Sequence, residues 1–159
     1  MRRPLLSGES AIILFKRCLK ITMDIHPFTI NALVILPDHL HTIWTFPDND
    51  FDFSTRWKKI KAQFSKKYQS EREINGTESR ISKGEKSIWQ RRFWEHLIKN
   101  QEDFNKHMDY IHYNPVKHGL VDSPGEWKQS SFHRYVELGV YEADWGQSVS
   151  NELIEMDLE

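Results

Sequence analysis

At 159 residues the chain fits one domain, and a domain of this size buries roughly 70% of the surface of its unfolded chain, so it needs no staples and no second domain. Aromatics at 13% and charged residues at 28% exclude a disordered polypeptide, and no apolar run approaches the ~18 residues of a membrane-spanning helix. Net charge of −1 hides an asymmetry: residues 137–159 carry seven acids and no Lys or Arg, leaving 1–136 with 22 basic against 16 acidic residues, a net +6.

The first predicted element is a helix over 7–24, with Ser7 or Ser10 as cap and Ala11, Ile12, Leu14, Phe15, Cys18 and Leu19 turned inward. Cys18 has no internal partner and reads as a small core residue in a reducing compartment. Neither a secretion signal nor a membrane anchor is indicated, so a cytoplasmic location is expected. The run 28–36, FTINALVIL, is nearly all apolar and β-prone, a strand covered on both faces. Pro37-Asp38 then turns the chain into a second strand over 39–46, forming a short antiparallel hairpin.

That second strand holds His39-Leu40-His41. Residues two apart on a strand share a face, so both imidazoles converge on one side, the less apolar one. A helix capped by Ser54 or Thr55 follows, packing Trp57, Ile60, Phe64 and Tyr68 and leaving Lys58, Lys59, Lys61, Lys66 and Lys67 on its other sides. Residues 54–99 hold 13 Lys or Arg against five acids, a distribution suited to a polyanion or to a solvated helix and loop. Residues 70–87 read as a long exposed loop, Trp89–Ile98 as a strand or a short helix, and 101–113 as a helix that Pro115 helps to stop. From Gly119 to Tyr135 the chain reads as a cover over the core, and the acidic tail from Glu152 has a short helix-like pattern. Antiparallel strands with helices on one face predict an α+β fold of the ferredoxin-like kind.

His-x-His alone is a weak metal signal. Two imidazoles holding a catalytic ion need a third protein ligand and open positions for water and substrate. Asn114 offers an amide oxygen, or else caps a helix ahead of Pro115. Tyr110 lies one helical turn before Asn114, on the same face. A phenol with a pKa near 10 attacks at neutral pH only beside positive charge, a base or a metal-polarised electrophile. Tyr110 is either such a nucleophile or an amphipathic core residue; Tyr113 is rotated off the shared face. A tyrosine attacking a phosphodiester keeps a nucleic-acid end activated for rejoining, and Trp57, Trp89, Phe93 and Trp94 are either stacking platforms for unpaired bases or core.

The strings VILPDHLHTIW, WQRRFWEHLI, YIHYNPVKHGLV and WKQSSFHRYV occur in this order between about residues 3 and 146, and they resemble the single-tyrosine HUH transposases, specifically the REP-associated tyrosine transposases. The resemblance implies a ferredoxin-like endonuclease and strand transferase that cuts single-stranded DNA near a hairpin through a 5′-phosphotyrosine. It implies Tyr110 as nucleophile, His39, His41 and Asn114 as ligands of Mg2+ or Mn2+, and hairpin or single-stranded DNA as partner. Lys58, Lys59, Arg91, Arg92 and Lys117 are the cations expected to meet that DNA, with the protein a monomer or homodimer. Family members open with a strand of the GxYFFTVxL type before the segment that begins this chain, so the expected layout is a domain over 1–136 lacking that strand, followed by an acidic tail over 137–159. The alternative is a DNA hairpin binder without catalysis, and a third reading is a metal-dependent hydrolase using water.

Overall fold

The computed structural model describes residues 4–74, Trp89, 94–147 and 155–156. Two compact units emerge, Met1–Thr29 with Phe46–Phe93, and Ile30–Thr45 with Trp94–Glu159.

The first unit is built on two helices, α1 (Glu9–Ile25) and α2 (Phe53–Ile74). Ala11, Leu14, Phe15, Cys18, Leu19 and Thr22 recur at helical spacing and form the buried stripe of α1. Neither expected serine caps it: Gly8 occupies that position, and the Ser7 hydroxyl donates to the Pro4 carbonyl at 2.9 Å. The helix ends at His26 because the residue before Pro27 is disfavoured in the α region.

On α2 the cap is Asp52, whose carboxylate accepts the Thr55 N–H at 3.0 Å, rather than Ser54 or Thr55. Ile60 and Phe64 are fully buried, and Phe64 meets Phe15 edge-on at 6.1 Å. Trp89 packs on both rings, at 6.0 and 5.2 Å, which assigns it to the core rather than to base stacking. Arg56 joins the connections: it donates to the His26 and Pro27 carbonyls and to both carboxylate oxygens of Asp50, and its guanidinium lies over Phe46 at 5.0 Å. Residues 70–74 belong to α2 rather than to a loop; 75–87 lie outside the described residues.

The second unit holds a two-stranded antiparallel sheet of β1 (Thr29–Ile35) and β2 (Leu40–Thr45). Leu36 N–H donates to His39 C=O at 2.9 Å and closes the predicted turn at Pro37-Asp38. The other edge of β1 is covered by 129–131: Ile35 N–H donates to Gln129 C=O and Ser131 N–H to Leu33 C=O, fulfilling the expected cover.

Helix α3 (Gln101–Lys117) starts at Asn100, whose side chain accepts the Asp103 N–H. Pro115 does not stop it. The helix carries Pro115 inside its last turn and ends at His118 and Gly119, where a φ of 65° lets the Gly119 N–H reach Val116 C=O and the Leu120 N–H reach Pro115 C=O. Asn114 is therefore a helical residue and not the cap. A 3₁₀ turn (Pro124–Glu126) and α4 (Phe132–Glu137) complete the unit.

The expected strand over Trp89–Ile98 does not form in its described part. Residues 94–99 have no regular structure because side chains hold them: Asp103 accepts the Lys99 N–H at 2.9 Å and the His96 Nε2–H at 2.8 Å. The fold is α+β, with a core of Ala32, Val34, Leu36, Ile43, Met108, Tyr110, Ile111, Phe132 and Tyr141 in this unit. Ile43 shares the side of β2 that carries the histidines, so that face points to the core despite its lower apolar content. Among the described residues no helix is long and apolar enough to cross a membrane.

Candidate active site

β2 places His39 and His41 two residues apart, and their rings meet edge-on at 5.2 Å. His39 Nδ1 lies 2.7 Å from an Asp38 carboxylate oxygen. A carboxylate accepts, so the His39 Nδ1–H donates to it and fixes the direction of the ring. His41 stands perpendicular to the ring of Tyr110, with centroids 5.5 Å apart. The sequence reading missed His118, whose ring lies 5.0 Å from His39. Its signal was present: Tyr110, Asn114, Lys117 and His118 follow the helical spacing that places residues on one face of α3.

Asn114 is fully buried, and neither its amide nitrogen nor its amide oxygen has a hydrogen-bond partner among the described residues. Such a group costs ~1–3 kcal/mol against a paired one. Most buried polar side-chain atoms in folded proteins have a partner, so such a group is uncommon.

Tyr110 is 1% exposed. Lys117, one of the cations expected to meet DNA, lies with Nζ 4.8 Å from the Tyr110 ring centroid and 3.5 Å from its hydroxyl. Its ammonium also donates to the Met156 carbonyl at 2.5 Å. Tyr113 turns away and meets Trp145 edge-on at 6.5 Å. Lys58 and Lys59 are exposed on α2 in the other unit, and Arg91 and Arg92 lie outside the described residues.

A second polar group supports α3 from within. His112 Nε2 pairs with Ser131 Oγ at 2.7 Å and Nδ1 with Tyr141 Oη at 3.2 Å, while Tyr141 donates to Asp109 at 2.7 Å. Burial, with a smaller contribution from Arg134, pushes the His112 imidazole down to about 3, so it stays neutral. Burial raises the Asp109 carboxyl against the opposing effect of the Tyr141 hydrogen bond. Nothing in the sequence pattern separated His112 from the neighbouring Tyr110 and Asn114 as a structural residue.

His96, Asp103 and His107 bring three potential ligand atoms within 4.8 Å of one another, a spacing compatible with a divalent ion. Their present bonding is that of a helix cap. The two imidazoles stack nearly parallel at 4.4 Å, so their in-plane lone pairs run side by side, and both rings pair with the same carboxylate. Trp94 stacks on the pair at 5.7 and 6.1 Å while keeping half its surface exposed.

No family model matches the chain. Over 133 residues it is 46% identical to the REP-associated tyrosine transposase of Escherichia coli (strain K12), covering 84% of this chain and 71% of that protein. A relative in Haemophilus influenzae bearing the same family name is 44% identical over 133 residues, 83% of this chain and 74% of that one. Among solved structures, a REP-associated tyrosine transposase bound to a REP hairpin superposes with a TM-score of 0.77 at 41% identity, covering 94% of this chain and 81% of the other. The chain belongs to the REP-associated tyrosine transposases.

Proposed function

We propose that this protein is a metal-dependent single-stranded DNA endonuclease and strand transferase that acts at hairpin or repeat DNA through a 5′-phosphotyrosine on Tyr110. The observation that carries the reading is the contact of Tyr110 with His41, one helical turn from the buried amide of Asn114, which has no hydrogen-bond partner among the described residues. The residues fit a divalent ion: His39 and His41 would be two ligands and the Asn114 oxygen a third. Two imidazoles alone favour softer ions, so Mg2+ or Mn2+ is taken from family resemblance rather than from the donor set. When bound, the ion supplies positive charge at the non-bridging oxygens of the scissile phosphate.

The chain's own residues do the rest. Asp38 fixes the tautomer and direction of His39. α3 holds Tyr110 and Asn114 in register, and the Tyr110 oxygen attacks phosphorus as the 3′ oxygen leaves, conserving the bond energy for rejoining. Lys58, Lys59, Arg91 and Arg92 are the proposed backbone contacts, and the proposed setting is the cytoplasm, with the protein a monomer or homodimer.

The near-complete burial of Tyr110 favours a second reading, a hairpin-binding protein without catalysis, because a nucleophile must reach its phosphate. Incubation with end-labelled hairpin DNA and Mn2+ separates the two. Cleavage with a denaturation-resistant protein–DNA adduct, both lost in Tyr110→Phe with hairpin affinity retained, supports the enzyme; binding without cleavage under any divalent ion supports the binder.

A further inference from the structure

A tyrosine that attacks phosphorus, or is expelled from it, carries negative charge on its oxygen at some point in each direction. In water that charge is solvated. At 1% exposure Tyr110 has little solvent to call on, so a fixed cation must take the place of water. The candidate is on the same helix: Lys117 follows Tyr110 by seven residues, two turns of α3, and so lies on the same face. Its Nζ is 4.8 Å from the ring centroid and 3.5 Å from the hydroxyl. That separation is long for a hydrogen bond but short for a charge contact away from bulk water. The Met156 carbonyl accepts another of its protons and holds the ammonium in place.

We propose that Lys117 is a catalytic residue whose ammonium neutralises the charge on the Tyr110 oxygen, rather than a contact to the DNA backbone. The inference rests on Tyr110 being the nucleophile. In the forward step the Tyr110 Oη–P bond forms and the P–O3′ bond breaks, and the phenol proton is passed on to the 3′ oxygen, which leaves as a hydroxyl. In the return step a 3′-hydroxyl attacks, the Oη–P bond breaks, and the tyrosyl oxygen departs into the field of the ammonium. Lys117 keeps its three protons throughout, so its contribution is charge and not proton transfer.

Single-turnover cleavage of a labelled hairpin with Mn2+, beside metal-free hairpin affinity at several salt concentrations, tests this with the full chain. Lys117→Met keeps the aliphatic stem on the ring without charge, Lys117→Gln keeps a donor for Met156, and Lys117→Arg keeps the charge. Expected are losses of roughly 100-fold in cleavage for Met and Gln and less than ~10-fold for Arg, with affinity and salt slope unchanged in all three. Cleavage by Lys117→Met and Lys117→Gln at the wild-type rate overturns the proposal while leaving Tyr110 as nucleophile. So does a weakened affinity with the salt slope reduced by about one phosphate contact, the signature of a DNA contact. A wild-type protein that cleaves with no adduct, or does not cleave, overturns the nucleophile assignment and this proposal with it.

Discussion

The imidazole of His41 stands perpendicular to the ring of Tyr110, with centroids 5.5 Å apart, so a strand and a helix bring an imidazole and a phenol into contact across the core. Removing that imidazole takes away one of the proposed ion ligands and leaves the phenol in place. His41→Ala is expected to lower metal-dependent hairpin cleavage more than ~100-fold, about 3 kcal/mol of transition-state stabilisation, with hairpin affinity within about threefold of wild type. Gel cleavage beside fluorescence anisotropy checks this; a variant that cleaves normally removes His41 from the site.

Asn114 sets stability against activity. Its buried amide has no partner among the described residues, so Asn114→Leu should raise unfolding stability by about 1 kcal/mol while abolishing cleavage. Denaturant unfolding and the cleavage assay on one preparation read both effects. Lower stability in the Leu variant would mean that the amide is paired in solution.

Stability should fall on acidification through His112. Its folded pKa of about 3 lies below its unfolded value of 6.5, so the unfolded chain binds the extra proton. The contribution is complete above pH ~6.5 and declines as pH falls toward about 3, at most about 1.4 kcal/mol per pH unit. The raised Asp109 carboxyl works in the opposite sense at the acid end, stabilising the fold as it protonates, and so flattens the slope there. Urea unfolding from pH 7 to 4 should show the decline, and His112→Gln should remove most of it.

In the first unit, Arg56→Ala should cost about 3 kcal/mol, since it leaves the His26 and Pro27 carbonyls and the Asp50 carboxylate without their donor. Thermal unfolding measures the loss. A change below ~0.5 kcal/mol would show that water replaces the guanidinium.

Hairpin binding should weaken steeply with salt, and Lys58→Ala and Lys59→Ala should each reduce the log–log slope by roughly 0.7–0.9 if each meets a phosphate. An unchanged slope would place the DNA elsewhere.

Much of this was legible in the sequence because periodicity reports burial directly. α1, both strands, the turn at Pro37-Asp38 and the packing stripe of α2 follow from apolar spacing, and the pairing of Tyr110 with Asn114 follows from the helical repeat. The failures have local causes. Pro115 removes one backbone donor near a helix end, where one fewer bond is tolerated, so α3 runs on to Lys117. WQRRFWEHLI alternates like a strand, yet in its described part the Asp103 carboxylate and the stacked rings of Trp94, His96 and His107 fix the chain through side chains. Alternation put the histidines with Ile43 on the less apolar face of β2, and it is through Ile43 that this face enters the core. Lys117 reads from sequence as one more cation; only the position of its ammonium beside Tyr110 separates it from Lys58 and Lys59.

The most direct measurement is the identity of the residue that carries DNA after cleavage. Protein reacted with hairpin DNA and Mn2+, digested with nuclease and protease, and mapped by mass spectrometry should yield a 5′-nucleotide on the peptide containing Tyr110, with fragmentation locating it on that side chain. A nucleotide on Tyr113 or any other residue, or cleaved DNA with no modified peptide, would contradict the account.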